Sequence, residues 1–109
     1  MFKYFLLTYS VTAPYKLDND IAKANNVRDA IAEVDEWKKL EKVETTFSGI
    51  MEIPETTETE KRRAAKRNVK NVFKPILQRY EAEELDVSIY CAIMVEDMGD
   101  VYEFTIVNN

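Results

Sequence analysis

The sequence predicts an α+β domain in which two helices cover one face of an antiparallel sheet. Two observations support this class. Several stretches alternate apolar and polar residues, as strands do, and two stretches between them repeat apolar residues at helical spacing. Their order is strand, helix, one long or two paired strands, helix, strand, strand. This is the order of a ferredoxin-like sandwich with one extra C-terminal strand, and we expect residues 1–109 to form a single domain.

The first strand and the first helix are predicted in the N-terminal part of the chain. Residues 2–11, FKYFLLTYSV, are aromatic and aliphatic throughout, which is typical of a strand. Residues 12–20, TAPYKLDND, predict a loop. A helix follows, with Asn25 or Asn26 as its candidate N-cap, because four apolar residues recur at helical spacing. These four are Val27, Ala30, Ile31 and Val34.

The middle of the chain returns to a strand pattern. Residues 39–53, KLEKVETTFSGIMEI, alternate apolar residues with mostly polar neighbours. Fifteen residues are long for one strand, so we expect a bend, a bulge or a tight hairpin within this stretch. Gly49 is one candidate for the hinge.

The second helix is predicted within residues 54–80. Thr57 and Glu60 have the spacing of a capping box at its start. Pro75 lies inside the pattern, where we expect it to kink the helix or to end its regular part. The apolar stripe consists of Ala65, Val69, Val72, Phe73, Ile76 and Tyr80.

The last two strands are predicted in residues 85–95 and 100–107, and the turn sequence EDMGD between them favours an antiparallel hairpin. Both alternating sets of positions are apolar in the first strand and in residues 85–95. A sheet with one face in water should alternate cleanly. We therefore expect the uncovered face to meet a second copy of the chain in a homodimer.

Composition excludes several kinds of chemistry. The chain has no histidine, so the usual general base and the usual zinc ligand are absent. Its one cysteine, Cys91, fits a reducing cytoplasm and the role of a small packed hydrophobe. No apolar run approaches the length of a membrane span. We expect a cytoplasmic protein without membrane contact, cofactor, metal site or catalytic residue.

The basic residues are concentrated in one segment of an acidic chain. Residues 61–74 carry seven of the fifteen basic residues and no carboxylate, whereas the remaining eight basic and twenty acidic residues give −12. On a helical wheel five of the seven fall within about 100° of arc. These five are Arg63, Lys66, Arg67, Lys70 and Lys74. The arc is either a solvated helix face that balances the acidic remainder or a surface for the phosphates of RNA or DNA.

Three stretches resemble a known family. These stretches are LLTYSV, VETTFSGIMEIPETTETE and LDVSIYCAIMV. In this order they are similar to the first strand, to the middle strand with its capped helix, and to a later strand of one family. The family comprises the small CRISPR adaptation proteins, the second of the Cas series, and their GhoS antitoxin relatives. The resemblance implies a dimeric ferredoxin-like protein. It also implies a metal-binding aspartate directly after the first-strand tyrosine.

At that position this chain departs from the family, because Tyr9 is followed by Ser10. A neutral hydroxyl does not hold Mg²⁺ as a carboxylate does, so we expect no metal-dependent cleavage. Asp18 and Asp20 could replace the missing ligand from the next loop, although a cap or turn role suits them better.

Three functions remain open. The first is a dimeric Cas-like or antitoxin-like module that binds nucleic acid through the basic helix without metal-dependent cleavage. The second is a protein-interaction module, such as an antitoxin, inhibitor or adaptor, that uses its acidic surface or an open sheet edge. The third is a metal-independent endoribonuclease that uses Tyr9, Ser10 and basic residues; it ranks last because no activated base is visible.

Overall fold

The computed structural model describes residues 1–54 and 56–109 and shows an antiparallel sheet with two helices. The strands lie in the order β2-β3-β1-β4-β5, and every neighbouring pair is antiparallel. The prediction of a ferredoxin-like α+β sandwich with an added C-terminal strand is thereby confirmed. The elements are β1 (Phe2–Thr12), α1 (Asp18–Ala32), β2 (Lys38–Lys39), β3 (Thr46–Glu52), α2 (Glu58–Arg79), β4 (Ser88–Val95) and β5 (Tyr102–Ile106).

The central strand β1 separates a covered face from an exposed one. Phe5, Leu7, Tyr9 and Val11 are buried beneath the helices, while the even-numbered residues between them point to the opposite face and are exposed. Because side chains alternate along a strand, this pattern places both helices on one side of the sheet.

An aromatic cluster fills the core near β2 and β3. The Trp37 ring lies 5.3–5.7 Å, centroid to centroid, from the rings of Phe5, Phe47 and Phe73. A Cβ atom on Gly49 would come within 3.0 Å of Phe5 Cε1. The hinge prediction for Gly49 is therefore wrong, since this glycine lies within β3 opposite Phe5 and leaves room for the rings.

The long middle stretch forms a hairpin, one of the three forms predicted for it. β2 contains only two residues, and Leu40 N donates to Thr46 O at 2.9 Å where the chain turns into β3. Ser48 and Phe47 are the β3 residues that pair with β2. The outer edge of β3 is consequently paired for only part of its length.

Helix α1 begins earlier than the sequence pattern suggested. Its N-cap is Leu17, which makes no side-chain capping bond, and Asp18 and Asp20 occupy the first turn. Carboxylates are favourable there because the N-terminal end of the helix dipole is positive. Asn25 lies inside the helix instead of capping it, and its side chain accepts a hydrogen bond from Arg28. The predicted loop is correspondingly shorter than residues 12–20.

Helix α2 begins as predicted. Thr57 is the N-cap, and its Oγ1 accepts a hydrogen bond from Glu60 N at 3.3 Å. The helix continues through Pro75 and ends at Arg79, so Pro75 lies inside the helix and does not end it at that residue, whereas the kink stays a prediction. In β4, Cys91 is fully buried, and burial raises the pKa of its thiol to about 12. Within the residues described, no helix combines the length and apolarity needed to cross a membrane.

Candidate nucleic-acid interface

Helix α2 packs its apolar side onto the sheet and turns its basic side outward. Six of its residues are buried in the core: Ala64, Ala65, Val69, Phe73, Ile76 and Leu77. The predicted stripe is therefore largely right, and Val72 and Tyr80, its other two members, are partly buried against the core. Two contacts connect the basic side of the helix with β5: Arg62 lies over the Tyr102 ring, and Lys74 Nζ donates to Asn109 O just beyond the end of that strand.

The five cations of the predicted arc share that basic side, and we call them the basic face: Arg63, Lys66, Arg67, Lys70 and Lys74. Arg63 and Arg67 are exposed, and the three lysines are half-buried. Long side chains of this kind cover apolar surface with their methylene groups while the charge stays in water. The structure thus places the predicted residues together on one side of one element.

A sixth cation, Arg62, lies beside the basic face at its N-terminal end. The Arg62 guanidinium lies 5.5 Å from the centre of the Tyr102 ring in β5, a distance typical of a cation–π pair. Its Nε is buried and has no hydrogen-bond partner among the described residues. The helical wheel had placed Arg62 outside the arc, and only the packing of α2 beside β5 reveals its position.

The six cations form two rows on the helix. The inner row, closest to β5, consists of Arg62, Lys66, Lys70 and Lys74, each four residues from the next. The outer pair is Arg63 and Arg67. At its C-terminal end the inner row is fixed by Lys74 Nζ, which donates to Asn109 O at 3.2 Å.

No carboxylate of the described residues neutralises the basic face. Three ion pairs are found among the described residues. They join the Met1 amino group to Glu52, Lys3 to Asp97 and Lys23 to Asp86. None of them involves a cation of α2. Lys3 holds the pKa of Asp97 below its ordinary value, with a smaller contribution from the nearby Lys61. The charge of the basic face therefore remains available to an anionic partner.

Tyr9 and Ser10 point to opposite sides of the sheet. Tyr9 is buried against Phe47 and Phe73, and burial raises its pKa. Ser10 is exposed on the face away from the helices, where it pairs across the sheet with Tyr90. The hydroxyl of Tyr90 donates to Glu103, which raises the pKa of Tyr90. Ser10 is thus separated from the basic face by the sheet itself.

Asp20 is buried in a small charged cluster between α1 and the segment that precedes β4. Burial, followed by the nearby Asp86 carboxylate, raises the pKa of Asp20. Lys23 Nζ lies 3.1 Å from Asp86 Oδ2 and chiefly accounts for the lowered pKa of Asp86. Asp18 is exposed at the start of α1. In residues 1–54 and 56–109, no three Asp, Glu, Cys or His side chains are grouped so that they could hold a metal ion.

The sheet face opposite the helices, which we call the open face, carries a contiguous apolar patch. Tyr4 and Ile50 oppose each other across β1 and β3, and Leu6 opposes Met94 across β1 and β4. Tyr4 is 70% exposed and Ile50 53%. Phe2 extends the patch along β1, and Tyr90 lies on the same face beyond Ser10 and Ala92. Exposed apolar patches of this kind mark interaction surfaces.

No known family model, curated protein or solved structure matches this chain.

Proposed function

We propose that this protein binds the phosphate backbone of nucleic acid through the basic face of α2. The observation that carries the proposal is that five cations project from one flank of a single helix without an ion pair to any described residue. Like charges four residues apart repel each other by roughly 0.2–0.5 kcal/mol per pair. Arg63 with Arg67, Lys66 with Lys70, and Lys70 with Lys74 are such pairs, and phosphates would relieve their repulsion.

The proposed binding is independent of nucleotide sequence. The basic face offers ammonium and guanidinium groups for phosphates, whereas the Tyr102 ring in β5 is already covered by Arg62. Sequence is read from base edges, and unpaired bases are held by exposed aromatic rings. Cations alone give an affinity that falls steeply with salt, because each phosphate contact releases counterions.

A Cas-like or antitoxin-like role without metal-dependent cleavage belongs to the same proposal. Ser10 stands where the resembled family keeps its metal-binding aspartate, and it lies on the sheet face away from the basic residues. Asp20, which could have replaced that aspartate, is engaged with Asp86. These placements support a protein that holds nucleic acid without cutting it.

The proposal includes a homodimer built on the open face. Burying the patch of Tyr4, Leu6, Ile50 and Met94 would remove exposed apolar surface from water, which stabilises an interface by about 25 cal/mol per Å² before the costs of association. A second copy supplies an equally apolar surface, and an isologous contact needs no other partner. The protein-interaction hypothesis remains the second candidate, because a different protein could cover the same patch.

The test measures the affinity for labelled 20-base-pair DNA and for single-stranded RNA by fluorescence anisotropy at about 50 and 200 mM salt. The key variant is Lys66→Glu/Arg67→Glu/Lys70→Glu. If each of these cations holds one phosphate, the slope of log K against log salt becomes shallower by about three.

The matched control is Lys38→Glu/Lys39→Glu/Lys42→Glu, which makes the same change in net charge at β2 and the following turn. We expect it to weaken binding only slightly and to keep the parental slope. Absence of binding by the parent at 50 mM salt, or equal losses in the two variants, would refute the proposal and favour the protein-interaction function.

A further inference from the structure

The outer edge of β5 presents backbone groups without partners. Glu96 N donates to Tyr4 O at 2.9 Å, so the even-numbered residues of β4 bond to β1 and the odd-numbered ones to β5. The β5 residues opposite these odd-numbered residues are Tyr102, Phe104 and Ile106. It follows that the N–H and C=O groups of Glu103 and Thr105 point away from the sheet. They make no hydrogen bond with any described residue.

The inner row of α2 runs along the helix side of this edge. Arg62 covers Tyr102 at the start of β5, and Lys74 reaches Asn109 just beyond its end. Lys66 and Lys70 lie between these two contacts in steps of about 6 Å along the helix axis. Unpaired backbone groups and unneutralised cations thus line one seam.

We propose that this seam takes an extended acidic peptide of a partner protein, which adds to the sheet as a strand beside β5. An extended peptide carries donors and acceptors at the two-residue spacing of the Glu103 and Thr105 groups. A DNA backbone carries phosphate acceptors but no donors, and an RNA backbone adds only the ribose 2′-hydroxyl, so neither offers the regular alternation of donors and acceptors that a peptide strand has. The edge therefore favours a peptide over a nucleic acid.

The cations specify the side chains of that peptide. Alternate residues of an added strand point to the helix side, where Lys66 and Lys70 meet them, so Asp or Glu is favourable at those positions. The intervening residues lie on the open-face side next to Glu103 and Thr105, where a neutral side chain avoids repulsion by Glu103. The expected ligand alternates acidic with neutral residues.

This inference does not rest on the proposed function, because strand addition at β5 would occur whether or not nucleic acid binds. The two ligands nevertheless share the lysines of the inner row. A bound peptide would neutralise Lys66, Lys70 and Lys74 and so compete with nucleic acid. The outer pair, Arg63 and Arg67, would contact nucleic acid but not the peptide.

The test titrates the ¹⁵N-labelled protein with a capped nine-residue peptide of alternating Glu and Thr, and follows the amide signals by NMR. The Glu103 and Thr105 amides are expected to show the largest shifts. Thr105→Pro removes an outward N–H without breaking a bond to β4, and edge strands tolerate proline there. It should lower the affinity for the peptide at least about fivefold, whereas Thr105→Ala, which keeps the N–H, should bind the peptide like the parent.

Two further measurements keep the result decisive if Thr105→Pro does not fold. Two peptides are compared, one N-methylated at its Glu residues and the other at its Thr residues. Only every second N–H of an added strand points to β5, so one of the two peptides should lose binding and the other should keep it. Lys66→Glu/Lys70→Glu should weaken the Glu–Thr peptide about tenfold and bind a Lys–Thr peptide instead.

The proposal is overturned if the amide signals of Glu103 and Thr105 do not shift when the peptide is added. It is also overturned if both N-methylated peptides bind as tightly as the unmodified peptide. Its failure is distinguishable from failure of nucleic-acid binding. Arg63→Glu/Arg67→Glu should weaken the binding of nucleic acid and leave the binding of the peptide unchanged. The N-methylated peptides test only the hydrogen bonds to β5.

Discussion

Asp20 is a buried carboxyl whose neighbour is another carboxyl. Burial and Asp86 raise its pKa, so protonation of Asp20 favours the folded state. This contribution to stability is complete below the ordinary Asp pKa of 3.8 and is lost as the pH rises through the raised value. Asp86 behaves in the opposite way. Its lowered pKa stabilises the fold above the ordinary value, and that stability is lost on acidification.

We expect Asp20→Asn to raise the thermal unfolding midpoint at pH 7. The amide has nearly the shape of the carboxyl, can donate to Asp86 and carries no charge, so the repulsion between the two carboxylates disappears. The gain should shrink as the pH falls towards 3.8, because the parental Asp20 is then protonated in the folded state. Circular dichroism melts between pH 4 and 7 measure both effects.

Asp18→Asn is the matched control for this prediction. It removes one carboxylate from the same first turn, but Asp18 is exposed, and its loss only weakens the interaction with the helix dipole. It should not raise the midpoint. An Asp20→Asn variant no more stable than Asp18→Asn at pH 7 would contradict the assignment.

Gly49 is required by the aromatic core and not by a turn. Alanine normally suits a strand better than glycine, yet its Cβ here would lie 3.0 Å from Phe5 Cε1 and 3.3 Å from Trp37 Cδ1. We expect Gly49→Ala to destabilise the protein by about 1–3 kcal/mol, as overpacked cores do. Ser48→Ala, the neighbouring change in β3, should stay within about 0.5 kcal/mol. Urea denaturation compares the two, and a stabilised Gly49→Ala variant would show that the rings move aside.

At the scale of elements, the start of α2 depends on one side chain. Thr57 Oγ1 accepts from Glu60 N, which satisfies one of the free N–H groups of the first turn. Thr57→Ala should reduce the free energy of unfolding by about 1 kcal/mol. Thr59→Ala lies inside the same turn, makes no such bond and should cost little or nothing. Equal losses in the two variants would mean that the cap contributes no stability.

Sequence patterns predicted those elements whose signals are local. Helix α2 was found through its capping residues and its apolar stripe, and β1 through its run of aromatic and aliphatic residues. The start of α1 was missed because Leu17 is not a capping residue. Asp20 and Asp86 are 66 positions apart, so their contact depends on tertiary packing. The contact of Arg62 with Tyr102 likewise follows from where β5 lies in the sheet.

At the scale of the whole molecule, we propose that the open face sets the oligomeric state. We expect the protein to have about twice the 12.7 kDa chain mass by light scattering at micromolar concentration. Leu6→Lys/Met94→Lys places two charges on opposed residues of the patch and should give a monomer. Val43→Lys/Leu85→Lys changes two exposed apolar residues outside the open face and should remain dimeric. A monomeric parent would mean that the patch does not join two copies of the chain, and it would favour a different protein as the partner of the open face.

A dimer joined by its open faces carries its helices on the two outer surfaces, so its basic faces point in opposite directions. Each basic face should then bind nucleic acid separately, and titration with a 12-base-pair DNA should end at two duplexes per dimer. Five phosphate contacts predict a slope of about −4.5 for log K against log salt. The slope should be the same in the Leu6→Lys/Met94→Lys monomer, because dimerisation adds no phosphate contact to either face.

One duplex per dimer, with a slope near −9, would mean that both basic faces contact the same duplex. The subunits would then have to associate through another surface, one that brings the two α2 helices to the same side.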